Sequence, residues 1–188
     1  GLLFLIENEE ANQFIEELFK EINSKPALPM LGPTIYQNFM QGSEAEEKQF
    51  ANKSREISDN KSQENYGLPL IDVISLDDFK KSAIWQEEVF GPYALIIRCK
   101  TISDFQDVAK MLSGQLTATI WAEPSELEMQ ETLLFEIQRK VGRIIFNGVS
   151  TGVQVIDSMH HGGSFPATTD SRFTAVGKDA IYRFLKSI

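Results

Sequence analysis

Gln86-Glu-Glu-Val-Phe-Gly-Pro-Tyr93 is the stretch on which the reading of this chain turns. Two adjacent carboxylates, Glu87 and Glu88, precede Val89 and an aromatic, Phe90. Gly91 permits an unusual backbone turn, and Pro92 fixes the next torsion and gives up a donor. The chain then enters the apolar run Tyr93–Ile97. A carboxylate and a phenyl ring are thereby held on a stiff turn at a strand's entrance. A carboxylate so placed can accept two hydroxyls of a ribose, as acidic residues do in dinucleotide sites, and the ring can wall one side of a flat heterocycle. The plainer alternative is a solvated pair of acids ahead of a buried strand.

Downstream of the turn, residues 92–100 read as a strand with Leu95, Ile97 and Cys99 on one face, because side chains alternate along a strand. Thr101 or Ser103 can cap a helix through Leu112. A core-type strand, Leu116–Ala122, follows, then a helix capped by Ser125 and running to about Lys140, then a strand over Gly142–Asn147. Strand, helix, strand, helix, strand from Pro92 to Asn147 predicts a βαβαβ unit with right-handed crossovers. Residues 148–176 lack periodicity and carry many small residues; so long a loop in a compact domain usually has a function. A short helix over Asp179–Lys186 ends the chain.

Upstream, the apolar run Leu2–Ile6 reads as a buried parallel strand. Asn8 is placed to cap a helix over Glu9–Asn23, whose Ala11, Phe14, Ile15, Leu18, Phe19 and Ile22 follow helical spacing and are read as core. Residues 24–33 form a loop with three prolines. Pro33 can start a helix to about Met40, with Gly42 marking a break before a resumption over Ser43–Ala51. Residues 53–66 are polar and read as a solvated excursion with a weak edge strand near Arg55–Ser58. Residues 68–76 read as a strand, followed by a helical turn over Asp77–Lys81. The fold class is α/β, an open twisted, mostly parallel sheet with helices on both faces.

The chain has 188 residues, 42% of them hydrophobic, in the range of one globular domain. Its net charge of −9 argues against a nucleic-acid partner or an anionic membrane, either of which needs a basic face. No apolar run approaches the roughly 20 residues of a membrane span. The single cysteine, Cys99, cannot form an internal disulfide, which fits a reducing, cytoplasmic setting. A strand at the first residues without an initiator Met predicts that the natural N-terminus lies upstream of Gly1.

Glu87-Glu-Val-Phe-Gly-Pro92 resembles the signature of the aldehyde dehydrogenase superfamily. Gly142-Arg-Ile-Ile-Phe-Asn147 is similar to that family's late strand ending in Asn. Gln115-Leu-Thr-Ala-Thr-Ile120 and His161-Gly-Gly-Ser-Phe-Pro-Ala-Thr-Thr-Asp-Ser-Arg172 resemble one branch, the ketoglutarate-semialdehyde (2,5-dioxopentanoate) dehydrogenases. The resemblance covers essentially the whole chain and implies the family's catalytic domain as one C-terminal fragment, residues 1–188. It implies that Glu88 binds the nicotinamide ribose hydroxyls of NAD or NADP and that Phe90 contacts the same end of the cofactor. It further implies oxidation of an aldehyde to a carboxylic acid through a thiohemiacetal and a thioester, covalent catalysis that divides one hard step into easier ones. In the family the nucleophilic Cys lies just upstream of the strand matched by Leu2–Ile6. The general-base Glu, the oxyanion Asn and the cofactor domain lie further upstream, and a subunit-joining strand follows the last helix. On this resemblance the segment is inactive alone and works with its own N-terminal cofactor domain, in a homo-oligomer when full length. A non-catalytic scaffold of the same fold, or a CoA-acylating or phosphorylating relative, are the alternatives.

Among candidate chemical groups, Cys99 is the only thiol, but its strand face with Leu95 and Ile97 marks a buried, inert side chain. His160 and His161 are the only histidines; adjacent residues rarely chelate one metal, and no metal is expected. The resemblance makes His161, Gly162, Gly163 and Phe165 part of the wall of the aldehyde pocket. Thr169 and Arg172 could meet a substrate carboxylate, which Arg binds bidentately, or Arg172 could be an ordinary surface residue of a loop. Asn147 either ties loop backbones together or simply terminates a strand.

Overall fold

The computed structural model describes residues 1–47, 65–128, 130–149 and 156–186. It forms two compact units, Gly1–Asp104 and Phe105–Ile188.

In the first unit the chain runs through β1 (Leu2–Ile6), α1 (Glu9–Asn23), β2 (Leu28–Pro29), α2 (Pro33–Glu47), β3 (Tyr66–Gly67), β4 (Leu70–Ser75), α3 (Leu76–Lys81), a 3₁₀ turn (Ala83–Gln86) and β5 (Tyr93–Cys99). The three long strands form a parallel sheet in the order β1-β5-β4. Such a sheet is stable only when covered on both sides, and the apolar runs of all three strands reflect that. In register, Leu3, Ile96 and Val73 align across one face, and Phe4, Ile97 and Ile74 across the other. The first face packs on Ile15, Leu18, Phe19 and Ile22 of α1. On the second, Phe4 meets buried Phe79 of α3 edge to face, with ring centroids 5.6 Å apart. Asn8 begins α1 as its spacing predicts, its Oδ1 accepting from the Ala11 N–H at 2.7 Å. β2 and β3 make a two-residue antiparallel pair.

α2 corrects one expectation. It runs unbroken from Pro33 to Glu47, straight through Gly42. A methyl at Gly42 would lie 3.3 Å from both Val89 γ-carbons, so this glycine makes room for a neighbour rather than ending a helix. The expected edge strand near Arg55–Ser58, and the helix beyond residue 47, fall outside the described residues.

α4 (Ile102–Met111) follows β5. Thr101 stands directly before its first residue, and the Asp104 carboxylate reaches back to the N–H groups of Lys100 and Thr101 at 2.8 and 2.9 Å. Those backbone donors hold Asp104 below the usual carboxylate range.

The second unit holds β6 (Gln115–Ile120), α5 (Pro124–Glu128), α6 (Glu131–Lys140) and β7 (Val141–Phe146), closing with a 3₁₀ helix over Lys178–Phe184. β6 and β7 pair in parallel, so the connection between them is the expected helical crossover. Two readings change. The one helix expected from Ser125 to Lys140 is two, and the first begins at Pro124, where a missing N–H costs nothing. The Glu123 N–H bonds the Glu126 carboxylate at 2.8 Å, and Gln130, with ψ at 33°, stands between the two helices. The second change is larger. The βαβαβ unit read over residues 92–147 is divided between two hydrogen-bonded sheets, β5 with β1 and β4, and β6 with β7. The parallel α/β character holds in each. Among the described residues, no helix is long and apolar enough to cross a membrane.

Candidate functional site

The turn between the 3₁₀ segment and β5 is built from inside outward. Trp85 is buried and anchors its start, and the Glu87 N–H donates to the Ile84 carbonyl at 3.0 Å, closing the 3₁₀ segment. Val89 then packs against Gly42 of α2. Gly91, with φ at +158°, lies against the ring of Phe39, itself only 1% exposed. Val89 and Gly91 therefore face α2. Glu88 is exposed, and Phe90 is 56% exposed. Among the described residues the carboxylates of Glu87 and Glu88 have no hydrogen-bond or ion-pair partner. A free carboxylate offers about four lone-pair sites, enough for two hydroxyl donors. Exposure alone would also suit a pair of solvated acids.

Cys99 is fully buried at the end of β5, on the face of Leu95 and Ile97. Burial, reinforced by the negative charge of Asp104, pushes its thiol up to about 11. At neutral pH it is a protonated thiol without solvent access, and thiols attack as thiolates. The burial expected of Cys99 from the sequence is what the structure shows.

The segment from His160 to Val176 lies within the second unit and is a packed loop. Gly162 and Gly163 are buried, and the chain passes there with no space for side chains on either partner. A methyl at Gly142 would fall 1.8 Å from the Gly162 carbonyl oxygen, and one at Gly163 would fall 2.2 Å from that of Gln115. The loop therefore lies flush on the first residues of β6 and β7. Buried hydroxyls hold it there. Thr168 donates to the Gly163 carbonyl at 2.6 Å, and Thr174 accepts from the His161 N–H at 3.0 Å while donating to the Val176 carbonyl at 2.9 Å. Sequence reasoning passed over both threonines, since nothing in a Thr-Thr or Phe-Thr pair distinguishes a buried hydroxyl from a solvated one. Phe165, 78% exposed, precedes Pro166 through a cis peptide bond.

Arg172 is already engaged. It grips Asp170 through Nε at 3.0 and 3.2 Å and Nη2 at 2.6 Å, a pairing that draws Asp170 down to about 2. Thr169 accepts from Arg183. His160 and Arg172 help to line a cavity of about 390 Å³ with Phe173 and Tyr182, while His161, Gly162 and Gly163 do not border it. Among the described residues, no group of three or more His, Cys, Asp or Glu could hold a metal ion.

Asn147 resolves the choice left open by its sequence. Its φ of 48° turns the chain at the end of β7. Its side-chain amide pairs both ways with one residue, Oδ1 accepting from the Ala122 N–H and Nδ2 donating to the Ala122 carbonyl, each at 3.0 Å. Its own N–H donates to Ile120 at 2.9 Å. Asn147 thus ties the chain leaving β6 to the chain leaving β7.

No family model matches the chain. It is 50% identical over 103 residues to the alpha-ketoglutaric semialdehyde dehydrogenase of Acinetobacter baylyi, a match covering 55% of this chain and 20% of that protein. It is 43% identical over 110 residues to alpha-ketoglutaric semialdehyde dehydrogenase 2 of Azospirillum brasilense, covering 58% of this chain and 21% of that one. The chain thus matches about a fifth of the length of these curated relatives. Among solved structures, a mutant aldehyde dehydrogenase from Bacillus cereus superposes over 97% of this chain and 37% of its own, with TM-score 0.68 at 14% identity. The succinic semialdehyde dehydrogenase of Streptococcus pyogenes, solved with NADP+, superposes over 86% of this chain and 35% of its own, with TM-score 0.60 at 16% identity. At such identities the structural likeness speaks for the fold alone, while the sequence matches show similarity to two alpha-ketoglutaric semialdehyde dehydrogenases over little more than half of this chain.

Proposed function

We propose that the chain is the C-terminal catalytic-domain segment of an NAD(P)-dependent aldehyde dehydrogenase that oxidises a carboxylate-bearing aldehyde, 2-oxoglutarate semialdehyde, in the cytoplasm. Residues 1–188 belong to one catalytic domain in this reading. The substrate class follows the sequence match to two alpha-ketoglutaric semialdehyde dehydrogenases. The observation that carries the reading is the pairing of Glu88 with Phe90 on the outward side of a turn whose inward residues, Val89 and Gly91, rest on α2.

A nicotinamide cofactor, when bound, supplies the hydride acceptor. The chain's own residues place it. Glu88 accepts hydrogen bonds from ribose hydroxyls, and Phe90 limits the freedom of the attached ring. Holding reactants in a reactive geometry is worth several kcal/mol of a barrier, up to roughly 7–11 in favourable cases. Cys99 takes no part, so the nucleophile, the general base and most of the cofactor site belong to the cofactor domain and the remainder of the full-length protein, which assembles as a homo-oligomer. His161, Gly162, Gly163 and Phe165 contribute to the aldehyde pocket chiefly by fixing the loop's path, and Thr169 and Arg172 form its polar part.

The full-length protein assayed with 2-oxoglutarate semialdehyde should reduce NAD or NADP, and Glu88→Gln should weaken cofactor use about tenfold to a hundredfold, as loss of charge-assisted bonds predicts. Glu87→Gln, one residue away, should do little. Equal indifference to both substitutions would reduce the pair to a solvated surface.

A further inference from the structure

Asp72 in β4 is 1% exposed, and the Tyr93 hydroxyl at the head of β5 donates to its Oδ2 at 2.9 Å. Leu95, Ile97 and Phe4 share their sheet face, and a carboxylate among such side chains is costly unless it is held. Alignment of the strands does not need it: the register runs from Leu70 opposite Tyr93 to Ser75 opposite Arg98. The pair is distinguished by where it sits. Tyr93 comes three residues after Phe90. Its N–H donates to the Gly91 carbonyl at 2.8 Å, and the Pro92 carbonyl accepts from the Leu70 N–H at 2.8 Å. The chain leaving the turn is therefore fastened to β4 twice, by main chain at Leu70 and by side chain at Asp72, while Phe39 and Val89 fix it against α2.

We propose that Asp72 and Tyr93 are positioning residues whose buried phenol–carboxylate bond sets where the turn presents Glu88 and Phe90, and so sets the affinity for a ribose-bearing nicotinamide ligand. The proposal rests on Glu88 being a ribose acceptor, and the test separates the two claims. In the full-length enzyme, kcat, cofactor KM and Tm are measured for Tyr93→Phe, Glu88→Gln, the double variant and Asp72→Asn. Tyr93→Phe keeps the ring's packing and removes only the hydroxyl. It should raise cofactor KM about threefold to tenfold with a smaller change in kcat. In the Glu88→Gln background the same substitution should change KM less than about twofold, because the carboxylate to be misplaced is gone. Asp72→Asn keeps an acceptor for the phenol and should raise KM less than Tyr93→Phe does. If Glu88→Gln raises KM and Tyr93→Phe lowers Tm without moving KM, the positioning role is overturned and Glu88 keeps its own. An equal KM rise in both backgrounds also overturns it, since Tyr93 would then act elsewhere. If Glu88→Gln leaves KM unchanged, the ribose reading falls and takes the proposal with it.

Discussion

Phe39 and Gly91 meet at a distance that only a glycine permits. A methyl at Gly91 would lie 2.5 Å from Phe39 Cδ2 and 2.9 Å from Cγ, and Phe39 is one of the most buried side chains of the first unit. The signature glycine is thus explained by packing as well as by the turn it makes. Gly91→Ala in the full-length protein is expected to cost about 1–3 kcal/mol, as overpacking of a tight site does, read from the denaturant midpoint. Phe39→Leu, harmful alone through lost ring packing, should recover part of that loss when combined with Gly91→Ala. Strict additivity of the two would show that they do not share one cavity.

Cys99 gives a pH prediction with a definite sign. Its ordinary value of 9.0 is raised to about 11 by burial, so between those values the folded state holds a proton that the unfolded state has released. The stability this contributes is complete below about 9 and is lost as pH rises through about 11. Cys99→Ala should abolish that part of the alkaline decline, seen as a difference between the two unfolding curves, and should leave neutral-pH turnover within a few-fold. Alkylation of Cys99 by iodoacetamide should be slow until the protein unfolds.

How far the sequence carried these conclusions differs from element to element. β1, α1 and β5 were legible because apolar spacing and an Asn cap agree, and local signals suffice where one element faces one core. The turn from Gln86 to Tyr93 was legible as a candidate site but not as a structure: its support comes from Phe39 and Gly42, some fifty residues away, and neither carries a local signal of that contact. Gly42 was misread for the same reason, since a glycine that accommodates a neighbour looks in sequence like one that ends a helix. The division of strands between two sheets was illegible, because strand spacing shows that parallel partners exist without saying which. Nothing local in the sequence singles out Asp72, and only its meeting with Tyr93 across β4 and β5 gives it meaning.

Asn147 separates backbone from side chain in a single position. Its left-handed φ of 48° is available to Asn and easier for Gly, while its amide makes two bonds to Ala122. Asn147→Gly should keep the turn and lose only the bonds, about 1–3 kcal/mol. Asn147→Ala adds backbone strain and should be worse. Asn147→Asp sets a carboxylate oxygen against the Ala122 carbonyl and should also exceed Asn147→Gly in cost. If Gly proves the most damaging of the three by denaturant unfolding, conformational entropy rather than the amide pairing governs the site.

Arg172 and Asp170 allow the substrate reading to be tested by opposite changes at one place. Asp170 is drawn down to about 2 from 3.8, so the pairing is fully present above about 3.8 and lost only as pH falls through about 2. At neutral pH a substrate carboxylate must therefore share or displace Asp170 to reach Arg172. Arg172→Ala should raise KM for 2-oxoglutarate semialdehyde about tenfold, the scale of one charge-assisted pair exposed to solvent, and should spare an uncharged aldehyde of similar length. Asp170→Asn should lower KM for the charged substrate, because it removes the internal competitor while keeping the side chain's shape. The two substitutions thus move the same constant in opposite directions, which damage to the loop cannot mimic, since a loosened loop would raise KM in both. Matching losses on charged and uncharged aldehydes would confine Arg172 to holding the loop through Asp170 and the face of Phe173.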